Sequence, residues 1–363
     1  MSRVAIVGTG LIGGSLGLAL GRAGIEVVGF DRDSQRAARA LDRGAVAEVA
    51  PKLADAVAGA DVVVIAVPVS TVSDLVIAAL ELGAPAVTDV GSVKAPILAA
   101  VEASEPALAP RFVGGHPMAG SELDDLDGAD ADLFIGATWV LTPTETTDPA
   151  AFAAVRSLVA RTGAEIVAVG PSQHDELAAV VSHVPQLAAS ALMDVVAGRG
   201  DEPTLLLRLA AGGFRDMTRI AGGRPDIWPD ICVANRDAII DALDRYREAL
   251  DSARTLVADQ DRDGLLALLE RGRAARRSLP VGTADAGTRL VELRVPVPDR
   301  PGVLAEMTTL AGRLGVNIAD LEIAHSMEGR EGVVVMVVAE AGVSELEAAL
   351  DEAGYHPSTR ELP

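Results

Sequence analysis

Gly8, Gly10 and Gly13 have the spacing of a loop that cradles phosphate, set between a β-branched run and an apolar helical stretch. Gly8 permits a tight turn, Gly10 lets the main chain approach an anion, and Gly13 lets helix and strand pack closely. The amides at the start of that helix, around Leu11 and Ile12, would face the phosphates with the positive end of the helix dipole. Asp31 ends the next strand-like run, 18 residues after Gly13. A carboxylate there accepts the ribose hydroxyls of NAD and repels the 2′-phosphate of NADP, a preference that Arg32 beside it weakens. The bland alternative is a tight strand–helix turn with no ligand, but strand, helix and acidic residue all fall in register for the dinucleotide.

A second group of residues could act on a substrate. Asp89-Val90-Gly91-Ser92-Val93-Lys94 follows another strand-like run, at the sheet edge where such folds bind ligands. In Gly114-Gly115-His116-Pro117-Met118-Ala119-Gly120-Ser121-Glu122, glycines on both sides of His116 and a proline fixing the chain after it are expected to hold the imidazole in an exposed turn. That placement suits a general base, although a histidine in such a loop can equally be inert. His174 and His183 are nine residues apart, about half a turn out of phase on one helix, and no Cys/His spacing resembles a zinc site, so no metal is expected. Arg215 and Arg219 would share a helical face, followed by Trp228, as a candidate anion clamp. The competing reading pairs those arginines with Asp216 or Asp226.

The elements that must position these groups fall into three blocks. Over residues 1–170, strand-like runs at 3–7, 26–30, 61–67 and 86–89 alternate with helical stretches at 11–23, 34–41, 71–82 and 93–103. Such alternation predicts an α/β domain of Rossmann type with a parallel sheet, which runs at 138–141 and 165–169 could extend. Residues 171–280 read as an all-helical domain, with one long helix beginning near Pro225. A helix that long and apolar needs a partner surface, so a homodimer is expected. Residues 278–287 suit a linker, and 288–363 give the order βαββαβ of a compact ferredoxin-like domain.

Bulk properties narrow the function. With 31 basic and 52 acidic residues the formal charge is −21, so nucleic acid and anionic membrane are not expected partners. One cysteine, Cys232, excludes an internal disulfide framework and suits a reducing, cytoplasmic location. The uncharged run 4–21 could pass for a signal peptide, but its glycines make better sense as the phosphate loop. On so acidic a chain an anionic substrate needs locally placed arginines.

Five motifs together resemble the prephenate dehydrogenase family: Gly8–Ser15 (GTGLIGGS), Asp89–Lys94 (DVGSVK), Gly114–Glu122 (GGHPMAGSE), Val180–Gln186 (VVSHVPQ) and Gly212–Ala221 (GGFRDMTRIA). The resemblance runs over essentially the whole chain. It implies NAD-dependent oxidation of the ring hydroxyl of prephenate, with loss of the ring carboxylate as CO2. His116 would polarise or deprotonate that hydroxyl, Ser92 would share it or orient His116, and Arg219 would hold a substrate carboxylate. His183, Ser121 and Trp228 would shape the pocket, with Glu122 behind it or gating it. A neutral His116 is required, so activity should rise with pH through an imidazole pKa. Many members of the family have a second histidine where this chain has Gln186, which leaves the choice between prephenate and arogenate open.

Asp299-Arg300-Pro301-Gly302-Val303-Leu304 and the turn ending at Asn317 resemble the ACT regulatory domain. Asp299, Gly302, Val303 and Asn317 would then bind an amino-acid effector, with tyrosine expected, unless the module serves only dimerisation. Two other readings stand beside these. A β-hydroxyacid dehydrogenase shares the glycine loop and helical domain but usually carries a catalytic lysine there, and residues 171–287 contain none. A non-catalytic sensor of NAD and amino acid would have no use for the motif around His116.

Overall fold

Val4, Ala5, Ile6 and Val7 are all buried, as an unbroken apolar run must be when a parallel strand is covered on both faces. They form β1 (Arg3–Val7), flanked in parallel by β2 (Glu26–Phe30) and β4 (Val62–Ile65), with Val4 opposite Val27 on one side and Val62 on the other. Alternate residues face opposite ways. Val4 and Ile6 join a core with Leu16, Leu20 and Val64, while Ala5 and Val7 join one with Val63, Ile65, Val76 and Leu80. The computed structural model describes residues 1–120, 125–197, 210–277, 289–298, 300–325 and 331–361, in two compact units, Met1–Leu250 and Asp251–Pro363.

In the first unit the sheet continues with β3 (Glu48–Val49), β5 (Val87–Asp89), β6 (Phe112–Pro117), β7 (Thr138–Thr142) and β8 (Glu165–Ala168), in the order β3-β2-β1-β4-β5-β6-β7-β8. Helices α1 (Leu11–Arg22), α2 (Ser34–Asp42), α3 (Leu53–Val57), α4 (Val72–Glu81), α5 (Ala95–Ser104) and α6 (Pro149–Ala160) accompany it. The chain reverses its direction of winding between β1 and β4, which opens a crevice at their carboxyl ends. The expectation of a parallel sheet holds for six strands, but β7 runs antiparallel to β6. Among the described residues, only the 3-10 turn Asp125–Gly128 is ordered structure between those two strands, and no helix crosses over to restore a parallel return.

The run Pro171–Ala197 is long and apolar enough to cross a membrane by length and composition. In this structure it is α7 (Pro171–Ala178), a π-helical turn (Ala179–His183) and α8 (Val184–Ala197), and it carries His174 and His183 into buried positions. Then follow α9 (Gly212–Thr218), a 3-10 turn (Arg219–Gly222), α10 (Trp228–Ala234) and α11 (Arg236–Ala258). The single helix expected from Pro225 onward is therefore broken. Asn235 leaves helical geometry at φ −105°, ψ 30°, because its side chain is taken up by the site.

The second unit begins within α11 and includes α12 (Arg262–Arg277). Its sheet comprises β9 (Leu290–Pro298), β10 (Ile318–His325), β11 (Glu331–Ala339) and β12 (Ser358–Glu361) in the antiparallel order β10-β11-β9-β12, with α13 (Val303–Arg313) and α14 (Glu340–Glu352). This is the split βαβ arrangement expected from the sequence. Leu293, Val295, Met307, Val334, Met336 and Leu346 fill its core. The expected linker at 278–287 lies outside the described residues.

Candidate active site

The glycine loop has the form a dinucleotide needs. Gly8 adopts φ +95°, and a Cβ there would collide with the Ala66 carbonyl; a Cβ on Gly13 would collide with the carbonyl of Gly8. Gly10 caps α1 with no side chain bonded to the helix end, and the nearest atom to a Cβ built on it is Asp125 Oδ1, at 3.7 Å. Leu11 and Ile12 open the helix beside it, half-buried. Asp31 is locked in place: its Oδ2 accepts the Thr9 amide (2.9 Å) and hydroxyl (3.2 Å), and its Oδ1 accepts the Asp33 amide (2.9 Å). A glycine-lined backbone cradle at a positive helix end, with the fixed Asp31 carboxylate beside it, fits NAD.

His116 lies inside β6 and is buried, not in an exposed turn. The glycines before it serve packing instead. A Cβ on Gly115 would come within 2.6 Å of the Asp89 carbonyl, and one on Gly114 within 2.5 Å of Thr142 Oγ1. Beneath them runs the fully buried Lys94, whose ammonium bonds the Asp89 carboxylate and donates to the Gly115 carbonyl (2.7 Å). Asp89 in turn accepts the Gly115 amide at 3.1 Å. A buried ion pair thus fixes the backbone on which the imidazole sits.

His116 Nδ1 lies 2.8 Å from His174 Nε2, and His174 Nδ1 lies 2.7 Å from Asp175 Oδ1. A carboxylate only accepts, so His174 donates from Nδ1 and its Nε2 must accept from His116 Nδ1. The unprotonated nitrogen of neutral His116 is therefore Nε2. Asp175 is held for this task by the amides of Lys94 and Ala95, both at 2.8 Å, at the start of α5. Burial pushes the His116 pKa well below that of an ordinary imidazole, and the charges of Lys94, His174 and His183 push the same way.

His183 is fully buried. One amide hydrogen of Asn235 goes to the Asp175 carbonyl (2.8 Å), and the same nitrogen lies 3.2 Å from His183 Nδ1. Nδ1 therefore accepts and Nε2 carries the proton, a buried donor with no protein partner among the described residues. Burial lowers the pKa of His183 to about 4, with the Asp175 charge opposing and that of His174 reinforcing, so it is a neutral donor at pH 7. Its ring meets Trp228 edge-on at 6.1 Å. Trp228, Gln186, Ser190, Ala221 and Cys232 help to line a cavity of about 310 Å³ next to it.

The sequence expectations fare unevenly. His116, His183 and Trp228 are brought into one neighbourhood. Ser92 is half-buried in the turn between Asp89 and Lys94, but His116 Nδ1 donates its hydrogen bond to His174 Nε2. Arg215 is on α9, while Arg219 begins the 3-10 turn after it, exposed, and leads into cavity residue Ala221; the helical face they were to share ends at Thr218. Asp226 is paired with Arg224 (3.0 Å). Ser121, Glu122 and Asp299 lie outside the described residues. Gly302 (φ +93°) and Val303 start α13, and Asn317 follows its far end. The eleven-residue helix separates them by about 16 Å, so they do not form one site within the unit.

His174 and His183 converge although straight-helix spacing puts them out of phase, because the intervening turn Ala179–His183 is π-helical and shifts the register. His174, Asp175 and Asn235 escape sequence reasoning altogether as site residues. Among the described residues no group of three or more His, Cys, Asp or Glu is placed to hold a metal ion.

Comparison with known proteins agrees with this geometry. Residues 16–168 match the model of the prephenate dehydrogenase nucleotide-binding domain, and residues 170–271 match that of the prephenate dehydrogenase dimerization domain. The chain is 33% identical to the prephenate dehydrogenase of Bacillus subtilis over 338 residues, covering 91% of this chain and 90% of the relative. Among solved structures it is similar to Aquifex aeolicus prephenate dehydrogenase in complex with hydroxyphenyl propionate and NAD+, at 30% identity and TM-score 0.71, covering 77% of this chain and 99% of that one. It is also similar to Synechocystis arogenate dehydrogenase, at 34% identity and TM-score 0.67, covering 76% and 99%. With its nucleotide cradle and buried histidines placed as described, the chain belongs to the prephenate dehydrogenase family and is an NAD-dependent oxidoreductase.

Proposed function

We propose that this enzyme converts prephenate to 4-hydroxyphenylpyruvate in tyrosine biosynthesis, with NAD+ reduced to NADH and the ring carboxylate lost as CO2. The observation that carries the reading is the chain from Asp175 through His174 to His116, which leaves Nε2 of a buried, neutral imidazole ready to accept a proton. Bound NAD supplies the hydride acceptor. His116 Nε2 takes the proton of the ring hydroxyl as the carbon–hydrogen bond breaks, and the Asp175 carboxylate offsets the positive charge formed on the two rings. The resulting ketone is a vinylogous β-keto acid, so carbon dioxide leaves as the ring becomes aromatic, and the phenolate oxygen recovers the proton. His183 Nε2–H, which has no protein acceptor among the described residues, donates to an oxygen of the substrate.

In this reading Arg219 holds a carboxylate, Trp228 and Ser121 shape the pocket, Ser92 shares the hydroxyl, and Glu122 gates it. Asp31 takes the ribose hydroxyls. The domains are 1–170 for the cofactor, 171–280 for substrate and dimer contact, and 288–363 for regulation. Val180, Val181, Val195 and Val233 are more than half exposed, which supports a second copy as the partner of the helical region. The C-terminal unit has the topology of an ACT domain, and tyrosine is its proposed effector. Since Gly302 and Asn317 lie at opposite ends of α13, such a ligand would need residues from a second domain.

A second reading, arogenate as substrate, draws support from Gln186, which lines the cavity beside Trp228, and from the likeness to an arogenate dehydrogenase. The deciding experiment follows NADH absorbance with prephenate and with arogenate, each with NAD and NADP. Turnover of prephenate with NAD is expected. Turnover of arogenate alone transfers the proposal to the second reading, and turnover of neither removes both.

A further inference from the structure

We infer that Asp125 is a resident anion of the cofactor cradle, which the dinucleotide must displace on entry and which restrains Arg36 from a ligand's phosphate. The 3-10 turn Asp125–Gly128 packs on both α1 and α2. Leu126 anchors it: the side chain is fully buried, and a Cβ on Gly14 would lie only 2.5 Å from its Cδ1. With Leu126 seated in that notch, Asp125 is carried over Gly10, where, among the described residues outside the loop and its helix, its Oδ1 alone comes within 4 Å of a built Cβ. The space that the glycine keeps open for an anion therefore borders a carboxylate already in place.

Two further features mark this carboxylate as held there by charge. Asp125 has φ +58°, and with Gln260 it is one of two non-glycine residues with positive φ among the described residues. Its oxygens lie 3.0 Å from Arg36 Nε and 3.4 Å from Arg39 Nη1. Arg36 also reaches toward Asp31, with Nη1 at 3.7 Å from Oδ1, so it stands between the proposed ribose carboxylate and the resident anion. The pairing is imperfect, since Arg36 Nε is buried without an aligned hydrogen bond. The neighbouring Asp127 pairs with Arg39 (2.8 Å) and Arg43 (2.9 Å) but is largely exposed and does not approach Gly10.

The negative charge of Asp125 thus competes with the cofactor's phosphates for the positive end of α1 and for Arg36. Removing it should tighten dinucleotide binding. The gain should be larger for NADP than for NAD, because a freed Arg36 beside Asp31 can meet the 2′-phosphate.

The test is calorimetric titration of the full chain with NAD+ and with NADP+, which reads binding without turnover. Asp125→Asn and Asp125→Gly both tolerate the left-handed backbone, and Asp127→Asn controls for the general loss of one negative charge. Both Asp125 variants are expected to bind NAD+ about 3- to 10-fold more tightly, with a larger gain for NADP+ and a change below about 2-fold in Asp127→Asn. Unchanged or weaker NAD+ binding in both Asp125 variants would overturn the inference, as would an equal gain in Asp127→Asn. Equal gains for the two cofactors would remove the role of Arg36.

Discussion

The cofactor cradle and the histidine cluster share one sheet but are built in opposite ways. The cradle draws mainly on residues 3–31, a single strand–turn–helix–strand passage, bordered from outside it by Ala66 and Asp125. Gly8 turns, Gly10 clears, Gly13 packs, and Asp31 is bound by Thr9. The cluster draws on residues 89–235 and needs β5, β6, α5, α7, the π-helical turn and the break at Asn235 to meet. The difference shows in the electrostatics: the cradle presents backbone amides at a helix end, whereas the cluster is desolvated and its polar groups fix one another, leaving Nε2 of His116 and of His183 for a ligand.

Perturbing the cluster should therefore alter chemistry or folding and spare dinucleotide affinity, and perturbing the cradle should do the reverse. The largest effect is expected for His116→Asn, a fall in kcat of about 10²- to 10⁴-fold with the Kd for NAD+ unchanged by titration. A kcat within a few-fold of the parent would end the role of this imidazole. Lys94→Met strands the buried Asp89 carboxylate and should cost about 3–5 kcal/mol of stability, read from chemical denaturation. A loss below about 1 kcal/mol would mean that the pair contributes little.

Asp175→Asn removes the negative charge and puts a donor in place of one acceptor oxygen, which disturbs the tautomers of His174 and His116, and kcat should fall about 10²-fold with KM little changed. An effect on KM alone would make Asp175 a packing residue. On the other side of the comparison, Asp31→Ala should weaken NAD+ about 10-fold and leave the pH profile of kcat intact. A shifted profile would show that the two regions are coupled.

The smallest effect concerns pH. His116 must be neutral, and its pKa lies well below 6.5, so kcat should be flat through neutrality and fall only in distinctly acid solution. The rise through an ordinary imidazole pKa, expected from residue type, moves to lower pH because the ring is buried. Stability follows the same sign. The pKa of His183 is near 4 in the folded chain against about 6.5 unfolded, so the unfolded chain binds its proton first as pH drops. That contribution is complete above pH 6.5 and is lost progressively toward pH 4, which thermal unfolding across this range would register. An unchanged Tm between pH 7 and 4.5 would contradict the burial of a neutral His183.

How much of the site could be read without coordinates follows from its construction. Strand β1 and the start of α1 stand where the apolar run and the glycines put them, since the turn between them depends on the positive φ of Gly8 and the close packing at Gly13. Lys94 and Asp89 stood inside a noted motif, but nothing in their spacing told that they would lie beneath His116. The error over the exposed turn has a clear source: glycines beside a histidine suggest a loop, yet here Gly114 makes room for Thr142 and Lys94, and Gly115 for the Asp89 carbonyl, within a strand. Asn235 was legible only as one more position in a helical pattern, and the break it makes exists because its amide is needed by Asp175 and His183.

What the chain of residues determined alone was the fold class, the nucleotide cradle and the βαββαβ order of the C-terminal unit. All three follow from periodicity and glycine placement over short stretches, where the backbone responds to its immediate neighbours. The tertiary structure decided which nitrogen of His116 is free to take a proton, why that ring stays neutral, and how His174 and His183 come together across a π-helical turn. Those properties depend on burial and on hydrogen bonds between segments far apart in the chain, and local sequence does not encode either until the core closes around them.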